Sequence, residues 1–186
     1  MTASTLLAYW EEGHKQALHP TPHEVLGPFF RKGAPDTPNL RVSGEAGFPL
    51  RISGKVLNTA GQKVAGATVE LWHADQNGRY DVQGYRYRAK LNVRDAGEYG
   101  VETFMPGHYN DRPAQHVHYL ISAPGHKPLI TQLYFATDPF FEGDPDRHWN
   151  KRGIVSHRAL IRPVALYEGP GAPRAATVFD IVLEKA

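Results

Sequence analysis

A chain of 186 residues with 41% hydrophobic composition is long enough to bury one core and too apolar for extended disorder. A net charge of +2 is too small to imply nucleic acid as a partner, and no apolar run approaches a membrane span. The absence of cysteine excludes disulfides and thiolate metal sites.

The N-terminal run MTASTLLAYWEEGHKQ has no basic flank and meets Glu11 and Glu12 early. It does not read as a signal peptide, and a cytoplasmic protein is the expectation. Leu6, Trp10 and Ala17 fall at roughly helical spacing, which predicts a short helix over residues 5–18. Residues 19–40 hold five prolines and predict an ordered irregular segment that wraps the body.

From Leu50 onward the pattern is β. Leu50, Ile52 and Val56 alternate, and Thr59-Ala-Gly61 marks a turn. Val69, Leu71 and His73 then share one face, with Trp72 on the other. Asn77-Gly78 is a tight-turn signal, and Asp95-Ala-Gly97 is another turn. Val117, Tyr119 and Ile121 alternate with His116, His118 and Leu120. Pro124-Gly125 leads into the strand-like run LITQLYF. At the end, Phe179, Ile181 and Leu183 alternate with Val178, Asp180 and Val182. Short strands at this spacing predict an all-β fold, an antiparallel β-sandwich with a short N-terminal helix and long irregular loops. The loops are FFEGDPDRHWNKRG and YEGPGAPR, of the length that usually carries function or covers a site. The basic stretch Lys151–Arg162 reads as a solvated face. Residues 1–40 are expected to form the helix and wrapping segment and residues 41–186 the sandwich, one domain in all.

The chemistry concentrates around YNDRPAQHVHYLIS. In a strand, His116 and His118 point the same way, so two imidazoles can grip one metal ion. Tyr109 lies seven residues before the pair and Tyr80 further upstream, each in a turn context. Phenolate suits a hard, highly charged cation such as ferric iron. The set points to a redox or Lewis-acid enzyme acting on oxygen-rich substrates. Taken singly, Tyr80 reads as a hairpin-edge aromatic, Tyr109 as a loop residue capping the sheet, and His-x-His as a metal pair in a minority of cases.

Three segments resemble the intradiol ring-cleavage dioxygenases, particularly the protocatechuate 3,4-dioxygenase type: TPHEVLGPFFRKG, GKVLNTAGQKVAGATVELWHADQNGRY and MPGHYNDRPAQHVHYLISAPGHKPLITQLYF. They fall in the family's order between Thr21 and Phe135. The resemblance implies a non-haem Fe(III) held by Tyr80, Tyr109, His116 and His118. It implies a catechol-type substrate and O2, with oxygen inserted between the two hydroxylated carbons to give a cis,cis-muconate-type product. Tyr109 would be the displaced ligand that accepts a substrate proton. Arg112 would stabilise developing negative charge, and Gln132 would lie near the substrate. His73 and His108 flank the tyrosine segments as candidates for supporting roles, although the alternation of His73 with Val69 and Leu71 equally predicts a packed core histidine.

The chain departs from the family pattern in three places. Gln115 intervenes in the family's Arg-Pro-x-His run, and one inserted residue flips strand side chains unless a bulge absorbs it. Val93-Arg94-Asp95 replaces a Thr-Asp, and Arg94 reads as a surface residue at a strand end, with a place near the pocket as the alternative. The large helical N-terminal domain of catechol 1,2-dioxygenases is expected to be missing, as in the single catalytic domain of the protocatechuate type. Competing readings are another His-x-His β-sandwich metalloenzyme and a non-enzymatic transthyretin-like binding module. Colour separates them, because only tyrosinate bound to iron makes the protein red-brown. The residues do not specify which catechol is used. They do not reveal assembly either; the resemblance admits a homo-oligomer.

Overall fold

The computed structural model describes residues 17–109, 112–169 and 175–186. The predicted N-terminal helix lies outside these residues except for Ala17 and Leu18, which are not helical. No helix among the described residues is long and apolar enough to cross a membrane.

Two five-stranded sheets form the body. β1 (Pro49–Asn58) is the spine of the first, and its alternate residues Leu50, Ile52 and Val56 are buried as their spacing predicts. One edge of β1 pairs antiparallel with β4 (Glu98–Phe104). Its other edge is filled in succession by β9 (Ala175–Val178) and β10 (Ile181–Leu183), both parallel to it and in the same register. Phe179 and Asp180 separate these two strands. The Phe179 N–H donates to the Ser53 carbonyl and the Lys55 N–H to Asp180 Oδ1, each at 2.8 Å, so the break stays tied to β1. β8 (Ala165–Leu166) pairs with the far side of β9.

The second sheet runs β3 (Arg88–Asn92), β2 (Thr68–Trp72), β5 (His116–Ser122), β6 (Leu129–Phe135), β7 (Ile161–Arg162). The sandwich is all-β as expected, but its sheets are mixed: β9 and β10 run parallel to β1, and β7 runs parallel to β6. Alternation fixes which face a residue takes and not which way its strand runs.

Between the sheets, Val69, Leu71, Val117, Ile121 and Leu133 meet Ile52, Val56 and Ile181, all buried. Each such side chain contributes roughly 1.5–3 kcal/mol on leaving water. Tyr119 packs on Phe179 at 5.3 Å between ring centroids, and Tyr99 Oη donates to the Phe179 carbonyl at 2.6 Å.

The opposite face of the second sheet is buried too. Trp72, His116, His118, Gln132 and Tyr134 project from it, and none is exposed. Three connections and the proline-rich segment reach this face. The Asn77-Gly78 turn forms, but it does not join two strands; it lies in the long loop of residues 73–87 between β2 and β3. The 140–153 insert, expected to be irregular, contains short helical turns at Pro139–Phe141, Pro145–His148 and Lys151–Gly153. Asp144 caps the second, accepting from the Asp146 and Arg147 N–H groups with Pro145 at the first position.

His73 follows β2 and is a core histidine. Its ring nitrogens lie 2.6 Å from the Ala74 carbonyl oxygen and 2.7 Å from Thr103 Oγ1. Burial pulls its pKa down to about 4, against the opposing Ala74 bond. The unfolded chain, with an ordinary histidine near ~6.5, binds a proton the fold does not. Stability from this group is therefore complete above the unfolded value and lost as pH falls from there towards the folded one, by on the order of 3 kcal/mol. Metal-free protein should lose denaturation free energy across that window, and His73→Gln should flatten the slope. An unchanged slope in urea titrations at stepped pH would contradict this assignment.

Candidate metal centre

Strand alternation in β5 puts His116 and His118 on one face, each 2% exposed. Their cross-strand neighbours on β6 are Tyr134 and Gln132, and Trp72 of β2 lies opposite His118. The His116 Nδ1–H donates to the Ala114 carbonyl at 2.7 Å, which leaves Nε2 as a lone-pair donor. His118 stacks on Trp72 with centroids 5.0 Å apart and planes within 1°.

The two tyrosines arrive on separate loops. Tyr80 Oη lies 3.0 Å from His118 Nε2 and 3.3 Å from His116 Nε2, and Tyr109 Oη lies 3.4 Å from His116 Nε2. Phe29 stacks on Tyr80 at 4.2 Å and meets Tyr109 edge-on at 6.5 Å.

Glycine allows the two loops to meet. A Cβ on Gly107 would stand 2.2 Å from the Gln76 carbonyl oxygen, and one on Gly78 would stand 2.1 Å from that of His108. The Gly107 N–H instead donates to the Asp75 carbonyl at 2.8 Å. Asp75 Oδ1 accepts from Asn77 and Arg79, and so shapes the turn before Tyr80.

Burial dominates the electrostatics. It pulls the His116 pKa to about 4 and that of His118 well below the ordinary value, His118 being lowered further by His116 and Arg112. Both imidazoles are neutral at pH 7, as metal ligands must be. Burial, and then the neighbouring Tyr109, pushes the Tyr80 phenol above the usual tyrosine range. It is protonated until a cation replaces the proton.

The four donors fit one hard cation. Donor separations of about 3.0–3.4 Å are those of ligands each ~2.1 Å from a shared ion at roughly right angles. Among the described residues no three His, Asp, Glu or Cys side chains cluster, so the anionic donors here are the phenols. Phenolate oxygen with imidazole nitrogen favours an oxophilic, highly charged metal over a soft one.

Arg112 points to β6, where its Nη2 donates to Gln132 Oε1 at 2.6 Å and to Tyr134 Oη at 2.7 Å. The inserted Gln115 is taken up before β5 begins. Its N–H donates to Asp138 Oδ2 at 2.6 Å and its side-chain amide to the Pro106 carbonyl at 2.8 Å. Gln132, fully buried, also donates Nε2 to the Val25 carbonyl at 2.7 Å. His108 lies 2.9 Å from buried Asp138 through Nε2. Arg94 is exposed beyond β3, away from these groups. Tyr134, Phe29, Arg88, Trp72 and Asp138 were not singled out from sequence. For Tyr134 the signal was present, because LITQLYF places it on the Gln132 face. A surface cavity of about 630 Å³ lies elsewhere, on the outer side of β1, β8 and β9 beside Arg51, Arg162 and Tyr167.

Residues 25–185 match the Dioxygenase_C family, described as dioxygenase. The chain belongs to the intradiol ring-cleavage dioxygenase family. It is 31% identical over 208 residues to the hydroxyquinol 1,2-dioxygenase of Nocardioides simplex, covering 97% of this chain and 69% of that protein. It is 35% identical over 154 residues to a catechol 1,2-dioxygenase of Pseudomonas sp. (strain EST1001), covering 67% and 50%. Among solved structures, the dioxygenase domain of a dioxygenase carbohydrate-binding protein fusion from Streptomyces sp. SirexAA-E superposes with a TM-score of 0.77 at 32% identity, covering 90% of this chain and 100% of that one. The chain spans 50%, 60% and 62% of the length of three catechol or chlorocatechol dioxygenases it matches.

The loop contact makes a direct test. Gly107→Ala should cost about 1–3 kcal/mol and lower metal uptake, because the added methyl meets backbone. Gly100→Ala, whose Cβ would find its nearest neighbour at an ordinary 3.7 Å, should do neither. Thermal melts and metal titration on both variants check this; equal behaviour would show that the loops do not depend on that approach.

Proposed function

We propose that the chain is a non-haem Fe(III) intradiol dioxygenase that cleaves the bond between the two hydroxylated carbons of a catechol-type substrate and adds one atom of O2 to each, giving a cis,cis-muconate-type dicarboxylic acid. The convergence of Tyr80, Tyr109, His116 and His118, in a chain of this family, carries the proposal. These four side chains would hold the ion. When bound, Fe(III) supplies a Lewis acid that keeps phenols ionised and gathers the two substrate oxygens.

The chain's own residues do the rest. A catechol must lose two protons to bind through both oxygens, and Tyr109 would be the base that accepts one of them. Arg112 brings a fixed positive charge to the face where electron density builds on the ring and then on the new carbonyl. Its direction is set by Gln132 and Tyr134, both fully buried, so little reorganisation is needed as charge develops. Gln132 is itself held by the Val25 carbonyl. Phe29 stacks on Tyr80 and meets Tyr109 edge-on, holding the two rings in place. The relatives' names span catechol, chlorocatechol and hydroxyquinol, which supports a catechol-type ring and leaves its substituents open.

The test is oxygen uptake against a catechol panel with product mass, on protein made with iron. Tyr109→Phe should retain iron and lose most turnover. Arg112→Ala should keep iron and slow cleavage by roughly 10²–10³, while Arg94→Ala should match the wild type. Normal turnover in Tyr109→Phe, or a silent Arg112→Ala, would contradict these roles.

A further inference from the structure

Arg88 stands at the start of β3 and is 2% exposed. Among the described residues it has no carboxylate at ion-pair distance, and its Nε is buried without a partner. A buried guanidinium so poorly compensated is costly. What it does hold is specific. Nη1 donates to the Phe29 carbonyl at 2.6 Å and Nη2 to the Asp81 carbonyl at 2.8 Å.

Those two carbonyls belong to the segments that orient the metal donors. Asp81 follows Tyr80 directly, and its carboxylate accepts from the Gln83, Gly84 and Arg86 N–H groups, so the turn after Tyr80 is rigid. Phe29 and Phe30 send their rings to different donors. Phe29 stacks on Tyr80. Phe30 packs on Trp72 at 5.1 Å, and Trp72 stacks on His118. Two residues earlier, Gly27 lies so close that a Cβ there would be 3.1 Å from His118 Cε1. One planar fork therefore pins the backbone point from which both rings diverge, and the turn that carries Tyr80.

We propose that Arg88 is a positioning residue for two of the four metal donors, Tyr80 and His118, acting through the backbone carbonyls of Phe29 and Asp81. It touches neither substrate nor metal. The role needs the fork and not just the charge, because a lysine ammonium cannot span two carbonyls with fixed geometry. The inference rests on the iron reading above.

The test compares wild type, Arg88→Met, Arg88→Lys, Phe29→Leu and Val56→Ala, all loaded with iron. Val56→Ala removes buried volume in β1, away from the donors, and controls for general loss of stability. The readouts are the rate of iron loss to a ferric chelator in excess and the position of the visible tyrosinate-to-iron band. Both Arg88 variants should release iron about 10–100-fold faster than wild type, as loss of a ligand's supporting partner does, and should shift the band. Phe29→Leu should move both readouts the same way; Val56→Ala should move neither. Release within twofold of wild type in the Arg88 variants, full rescue by lysine, or equal effects in Val56→Ala would overturn the proposal. If the Arg88 variants do not fold, Phe29→Leu decides alone: wild-type release and an unshifted band would overturn it. If the wild type takes up no iron or has no band, the iron reading falls and this inference with it, an outcome visible before any variant is made.

Discussion

Everything at the centre depends on keeping two imidazoles dry and neutral on a sheet face turned away from the sandwich core. Side chains on that face would ordinarily meet solvent, and a histidine in water is protonated through the acid range. Here Trp72, Tyr80, Gly27 and Tyr134 of β6 lie against His116 and His118, and burial holds both well below the ordinary pKa. The same enclosure raises Tyr80. In this environment protons are easily held by phenol and not by imidazole. A hard cation reverses only the phenol side of that balance. In the proposed iron enzyme such a site would exchange phenolic protons for metal charge while its nitrogens stay available.

The enclosure is made of loops, and loops need fixing. Tyr80 sits on the β2–β3 connection and Tyr109 on the β4–β5 connection, and the glycine contact between residues 75–78 and 107–108 is what lets their backbones approach. Asp138 ties the stretch before β5 to the connection after β6 by accepting from Gln115 and Phe140 and by pairing with His108. The proline-rich segment closes the remaining side through Val25, Phe29 and Phe30. Residues 19–35 are thus part of the site and not only a wrapping of the body.

Much of this was legible where side-chain period carries the information. HVHYLIS and LITQLYF assign their faces by alternation alone, so the His116–His118 pair and the Gln132–Tyr134 row follow without coordinates. Tyr80 and Tyr109 depended on resemblance, because loop residues have no period. Strand direction was not legible, and the parallel return of β9 and β10 along β1 came from the structure. The side taken by Arg112 was open, since an inserted residue can either flip a strand or be absorbed before it. The bond from the Gln115 N–H to Asp138 shows absorption. Arg88 was invisible: an arginine at a strand start reads as exposed, and only its burial between two carbonyls marks it.

In the proposed centre, two phenolates and two imidazoles hold one ferric ion. Resonance Raman spectroscopy of the iron-loaded protein, excited in its visible band, tests it most directly. Tyrosinate ring vibrations from two distinct tyrosines are expected, with one set removed by Tyr80→Phe and the other by Tyr109→Phe. Iron bound one to one with no tyrosinate vibrations, or vibrations unaffected by either substitution, would contradict it.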